Sequence, residues 1–257
     1  MFPYRDENEA LRTPYATFAL IALNLLAWLL VQGAGSTLAL ARSICDLGLI
    51  PGELTLSIPP GTRFAMGDGL VCLTDPGRQT SHIFTSMFLH GGWMHILGNI
   101  WFLWIFGNNV EDAMGRLRFV VFYVLTGVTA ALTQVFLTPD SVVPMVGASG
   151  AISGVMGGYI VLYPRVRVFM LVWLGFIVTS IAWPAWMMLG YWLVLQFVSG
   201  LTAIGREGGG VAFWAHFGGF VAGAILVKLF ARADYLAERQ ASQWRPRRLG
   251  FGPPQDA

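Results

Sequence analysis

A serine set between glycines, Gly147-Ala148-Ser149-Gly150, stands where a polar segment (Thr138-Pro139-Asp140-Ser141) gives way to an apolar stretch. Two more polar groups lie far from it along the chain. One is His95 with Asn99, inside His90-Gly-Gly-Trp-Met-His95-Ile-Leu-Gly-Asn99. The other is His216, inside Ala215-His216-Phe217-Gly218-Gly219-Phe220-Val221-Ala222-Gly223. Amide hydrolysis needs a nucleophile, a proton acceptor and donors for a developing oxyanion. A serine, a histidine and a carboxamide are residue types that can fill those places. A serine that opens a helix also has free backbone N–H groups and the positive end of the helix dipole beside it. None of this operates unless some architecture brings the three segments together.

Composition points to a lipid bilayer as that architecture. Of 257 residues, 55% are hydrophobic and 12% charged, with mean hydropathy +0.61. Soluble domains carry about 25% charged residues. The chain reads as an integral membrane protein with little mass left for a soluble domain. The net charge of +2 gives no reason to expect nucleic acid. Two cysteines cannot build a cysteine-based metal cluster. The first apolar run is long enough to span and has no small-residue cleavage pattern, so no cleavable signal is expected.

Six spans are expected in an all-α bundle. Residues 1–14 form a short polar tail, 15–230 the membrane domain and 231–257 a basic, mobile tail. The spans run from Ala16 to Val31, Trp93 to Asn109, Phe119 to Leu137, Ala148 to Tyr163, Trp183 to Gly200 and Val211 to Phe230. Asn24, a lone amide in the first span, is expected to bond a neighbouring helix. Glu111, Asp112, Arg116 and Arg118 read as a charged inner turn. Residues 32–92 are too polar to cross and form an ordered outer loop. That loop holds Cys45 and Cys72, and the sequence leaves open whether they pair or stay as thiols. Phe169 to Ile181 is short for a span and reads as an interfacial or re-entrant piece.

Arginine placement orients the bundle. With both termini in the cytoplasm, the inner segments hold Arg5, Arg12, Arg116, Arg118, Arg165, Arg167, Lys228, Arg232, Arg239, Arg245, Arg247 and Arg248, twelve of the sixteen basic residues. The outer side holds Arg42, Arg63, Arg78 and Arg206. This is the positive-inside pattern. The second, fourth and sixth spans then run from outside to inside. His95, Asn99, Ser149 and His216 all fall in the outer part of the membrane. His95 and Asn99, four apart, share a helix face. Small-residue stripes can draw the other two spans together: Gly150, Gly154, Gly157 and Gly158 on the fourth, Gly219 and Gly223 on the sixth. If the stripes face each other, Ser149 meets His216 at the top of the seam.

The three motifs, in this order and spacing, resemble the rhomboid family of intramembrane serine proteases in its six-span bacterial form. The resemblance covers about residues 15–230. It implies Ser149 as nucleophile and His216 as general base, without cofactor or metal. It implies an oxyanion hole from His95, Asn99 and the backbone N–H of Ser149, with His90 as polar support. The implied substrate is itself a transmembrane protein, cut near the outer end of its helix after a small side chain. The implied location is a bacterial inner membrane, with the site toward the outer face. No Asp or Glu lies in a span near His216, so a Ser–His dyad without a carboxylate is expected, unlike the familiar triad.

Two departures from the family pattern stand out. Many members carry an aromatic residue four positions after the nucleophile, stacked under the base. Here that residue is Ser153, so Phe217 or a hydrogen bond must orient His216. The family's Trp-Arg pair in the first outer loop is replaced by Arg78-Gln79-Thr80-Ser81-His82, where His82 reads as a loop histidine at a helix start. The Gly-rich loop 201–210 could cap the site. The bulky fifth span (Trp186, Tyr191, Trp192) could be a lateral gate, although Trp183 and Trp186 also suit an aromatic belt.

Other classes compete. A rhomboid-like pseudoprotease would bind membrane clients without cutting them. A metal site from His90, His95 and His216 lacks a carboxylate ligand and good spacing on one helix face. A transporter would carry ionisable residues along a path across the membrane, whereas here the polar set stops in the outer half. Oligomeric state is not readable.

Overall fold

The computed structural model describes residues 2–67, 70–203 and 212–243. In chain order the elements are β1 (Phe2–Asp6), α1 (Tyr15–Leu26, continued by a π turn Ala27–Val31), α2 (Thr37–Leu47), α3 (Pro51–Thr55), β2 (Arg63–Gly67), β3 (Leu70–Leu73), α4 (His82–Thr85), α5 (Trp93–Met114), α6 (Arg116–Leu137), α7 (Ser149–Leu162), β4 (Arg167–Leu174), β5 (Ile177–Pro184), α8 (Ala185–Ala203), α9 (Phe213–Phe230) and α10 (Ala233–Gln243). Helices α6, α8 and α9 are each long and apolar enough to cross a membrane, and α1 with its π turn and α7 are shorter apolar helices.

α7 is the axis of the bundle. Every residue from Ala151 to Tyr159 is buried, with α5, α6 and α9 around it. Its glycines make this possible. A methyl at Gly219 would overlap the carbonyl oxygen of Gly150, one at Gly223 that of Gly154, and one at Gly157 that of Phe220. The backbones of α7 and α9 therefore touch directly, as close packing in lipid requires. Gly154 plays two parts: its carbonyl meets α9, while its open side accepts Thr126 of α6. α8 is packed least. Only Ala185, Met188, Leu189 and Gly200 of its nineteen residues are buried.

The all-α expectation is corrected at the end of the bundle away from Ser149. Residues expected to be an interfacial or re-entrant piece form an antiparallel hairpin, β4 and β5, with Val168 opposite Trp183 and Val172 opposite Thr179. The expected N-terminal tail supplies β1, antiparallel to β4, to make a three-stranded sheet in the order β1-β4-β5. Glu111 and Asp112 are not an open turn either. They lie in the last helical turn of α5, with Gly115 alone between α5 and α6. Glu111 accepts hydrogen bonds from the backbone N–H groups of Ala16 (3.0 Å) and Thr17 (2.7 Å) and from the Thr17 hydroxyl (2.8 Å). It thus caps α1, whose own N-cap, Pro14, offers no side-chain bond. Asn24 donates to the Leu20 carbonyl of its own helix at 2.7 Å, and its side chain also interacts with Tyr123 of the neighbouring α6, as expected.

The C-terminal segment, expected to be a basic mobile tail, is helical as α10 through Gln243. It is held by Arg239, which is 3% exposed. Its guanidinium donates to Asp112 (2.9 Å), Asn109 (2.6 Å), Asn8 (3.2 Å), Tyr163 (3.2 Å) and the Glu9 carbonyl (2.8 Å). Residues 244–257, with Arg245, Arg247 and Arg248, lie outside the described residues, as does most of the Gly-rich loop expected to cap the site.

The expected outer loop, 32–92, is described except for residues 68 and 69. It holds α2, α3, the β2–β3 hairpin and α4, and Cys45 of α2 is disulfide-bonded to Cys72 of β3.

Candidate active site

Ser149 is the first residue of α7, behind the N-cap Ala148. Gly147 precedes them at φ +131°, a conformation that side chains avoid, and its N–H donates to the Ser86 carbonyl at 2.9 Å. A methyl there would come within 2.8 Å of His95 Nε2. Glycine at 147 thus lets the chain turn into α7 against the imidazole of His95. The first intrahelical bond of this turn is Ile152 N–H to the Ala148 carbonyl (3.0 Å). The N–H groups of Ser149, Gly150 and Ala151 have no such partner in the helix.

His216 sits in the first turn of α9. Its Nε2 is 2.7 Å from Ser149 Oγ, and its Nδ1 is 2.7 Å from Gln196 Oε1 on α8. The Trp192 ring, also on α8, lies 5.9 Å from the imidazole at a tilt of 37°. Neither α8 contact was anticipated from sequence. Phe217, one of the two expected orienters, packs instead against Phe197 (5.4 Å) and Trp214 (6.4 Å). Ser153 does not reach the imidazole. It is 1% exposed, and its hydroxyl donates to the Ser149 carbonyl at 2.6 Å.

His95 and Asn99 share one face of α5, toward the serine. The backbone N–H of Gly91 donates to His95 Nδ1 (3.2 Å). The neutral ring therefore carries its proton on Nε2, the nitrogen beside Gly147. Asn99 is 8% exposed, and its Nδ2 has no hydrogen-bond partner among the described residues. A buried amide donor without an acceptor is costly and calls for an explanation. Here it lines a cavity of about 620 Å³ shared by Ser149, His95, Met145, Trp192 and His216.

His90 is fully buried, edge-on to His95 with ring centroids 5.2 Å apart. Burial, with His95 beside it, holds His90 down at about 3, so the ring is neutral. Gln32, buried at the end of α1, clamps the His90 backbone in both directions: its Nε2 donates to the carbonyl and its Oε1 accepts from the N–H, each at 2.8 Å. In the sequence Gln32 is only the start of a polar loop. Gln134 likewise accepts from the Ala215 N–H at 3.2 Å and steadies the turn before His216. His82 opens α4, is buried and does not line the cavity.

The cavity places a serine hydroxyl, an imidazole nitrogen and unpaired N–H donors within reach of one small volume, arranged for attack on a carbonyl carbon. Similarity to known proteins identifies the family. The Rhomboid domain matches residues 77–233, more than half of the chain, and the chain belongs to the rhomboid family. Rhomboid-like protease 5 of Toxoplasma gondii is 31% identical over 167 residues, covering 61% of this chain and 18% of that protein. Rhomboid protease GluP of Bacillus subtilis is 36% identical over 75 residues, 29% of this chain and 14% of that protein. Inactive rhomboid protein 1 of Drosophila melanogaster is 31% identical over 84 residues, 33% of this chain and 6% of that protein. Across the curated relatives compared, the matched stretch spans between 6% and 39% of their length.

Proposed function

We propose that this rhomboid-family membrane protein is an intramembrane serine endopeptidase that cuts transmembrane proteins near the outer end of their helix. The observation that carries the reading is the 2.7 Å contact between His216 Nε2 and Ser149 Oγ, made beside a buried Asn99 Nδ2 that lacks an acceptor. Ser149 attacks the scissile carbonyl while His216 takes its proton. The tetrahedral oxyanion receives hydrogen bonds from Asn99 Nδ2, His95 Nε2–H and the Ser149 N–H. His216 then gives the proton to the leaving amine, and water repeats the sequence on the acyl-enzyme.

In this proposal six spans, α1, α5, α6, α7, α8 and α9, cross a bacterial plasma membrane, with both termini on its cytoplasmic side. Ser149 and His216 then lie toward the outer face, where water reaches them. α8 is the span that can move aside at least cost, since only four of its nineteen residues are buried, and a substrate helix would approach between it and the cavity. Partial unwinding of that helix by Gly or Pro exposes the amide to be cut.

The test is cleavage in vesicles. Wild type and Ser149→Ala are co-reconstituted with a single-span reporter bearing Ala and Gly near the outer end of its helix. Wild type is expected to release two fragments and Ser149→Ala none. A reporter that stays intact yet co-purifies with both forms would favour client binding without cleavage instead, as the inactive relative makes worth checking.

A further inference from the structure

Both ring nitrogens of His216 are engaged, one by Ser149 and the other by a residue of a different helix. Gln196 Oε1 lies 2.7 Å from Nδ1. A carboxamide oxygen can only accept, so Nδ1 carries the ring proton. That assignment leaves Nε2 with a lone pair aimed at the Ser149 hydroxyl, 2.7 Å away. The opposite tautomer would place a proton on Nε2 and make it unable to accept one from the serine. Trp192 lies four residues before Gln196, on the same face of α8, and its ring covers the imidazole at 5.9 Å and Phe220 at 6.1 Å. One turn of α8 therefore supplies both a flat apolar wall and a directional acceptor. α7 contributes neither, because Ser153 turns its hydroxyl back to its own helix.

We infer that Gln196 is the positioning residue of this site: by accepting from Nδ1–H it fixes the tautomer and ring direction of His216. It takes the place held by the carboxylate in a Ser-His-Asp triad, as the amide does in Cys-His-Asn proteases. The acceptor is neutral, so the site acquires no buried charge within the membrane. It is also carried by α8, of whose nineteen residues only four are buried. The competent state of His216 consequently requires α8 to be seated against α9. A displaced α8 removes acceptor and aromatic wall together, leaving the base free to rotate or change tautomer.

The inference rests on the serine-protease reading for its catalytic meaning and on geometry alone for the tautomer, so two readouts separate them. The full chain in detergent micelles is labelled with 15N-histidine, and the His216 ring is assigned by its loss in His216→Ala. Alongside, the rate of labelling by a fluorophosphonate is measured for wild type, Gln196→Met and Gln196→Glu. Wild type is expected to show a protonated Nδ1 at His216. Gln196→Met, of similar length without an acceptor, should lose that signature and label at least about tenfold more slowly. Gln196→Glu restores an acceptor and should recover both. Recovery in Gln196→Glu also excludes misfolding as the cause of the loss. Wild-type labelling with an unchanged rate and unchanged His216 ring in Gln196→Met would overturn the assignment and leave the protease reading intact. A His216 ring that responds as described in a protein that never labels would uphold the assignment and count against the protease reading.

Discussion

Gly219 rests on the carbonyl oxygen of Gly150, backbone against backbone, one residue beyond Ser149. This contact seats the first turn of α9, and so His216, against the first turn of α7. Below it, Gly223 meets Gly154 in the same way. The backbone separation between nucleophile and base is therefore set by glycines at the helix seam.

Replacing Gly219 by Val should push the helices apart, because the atom it meets is backbone and cannot rotate away. Overpacking of side chains costs about 1–3 kcal/mol, and the cost here should reach at least the top of that range. Thermal unfolding in detergent should fall sharply, with loss of cleavage. A stable, active Gly219→Val protein would refute the seam as the positioning device.

Asn99 gives a contrasting expectation. Its Nδ2 makes no hydrogen bond in the described structure, so Asn99→Leu removes nothing that holds the fold together. Thermal stability should stay level or rise. Loss of one oxyanion donor should lower kcat about 10²–10³-fold. A variant that loses stability while keeping its turnover would show that Asn99 is structural.

Much of this pair of sites was legible in the sequence because the constraint was one-dimensional. Ser149, His95, Asn99 and His216 could be given a common depth from arginine placement, and Gly150, Gly219 and Gly223 form stripes at helical spacing. Gln196 was hidden for the opposite reason. A single amide in an apolar span has no pattern of its own, and its role exists only once α8 is turned toward α9. The β4–β5 hairpin was hidden by its composition. Phe169 to Ile181 is apolar on both faces, so it lacks the alternation that marks a half-buried strand, and its outer partner β1 lies more than 160 positions away. Arg239 looked like one more solvated charge in a basic tail, and only its five acceptors reveal it as a buried anchor.

That anchor is testable. Arg239→Ala leaves Asp112, whose side chain is 2% exposed, with only the partly exposed Arg12 as an ion-pair partner among the described residues. Breaking a buried pair by removing one side costs about 3–5 kcal/mol. The variant should unfold at a lower temperature, and limited proteolysis should cut its N-terminal strand and α10 sooner than in wild type. Equal proteolysis of the two would show that the termini dock without it.

Asp6 predicts a pH dependence. It accepts from the hydroxyl of Tyr159 and from Asn109 Nδ2 (2.9 Å), near Arg239. Burial outweighs these partners and raises its carboxyl to about 6. A raised folded value means the stabilising contribution is full below the unfolded value near 4 and lost as pH rises through about 6. A shift of about two units corresponds to roughly 3 kcal/mol. Asp6→Asn mimics the neutral form at every pH. Its unfolding midpoint should exceed that of wild type at pH 7.5, and the gap should close toward pH 4.5. A gap that is constant with pH would contradict the assignment.

The central claim is an activated serine at the α7–α9 seam, and the most direct test is covalent. The purified protein in detergent is incubated with a fluorophosphonate, and the adduct is located by mass spectrometry, with His216→Ala in parallel. The account predicts phosphonylation at Ser149 in wild type and none in His216→Ala. A folded wild-type protein left unlabelled, or one labelled equally with and without His216, would contradict it.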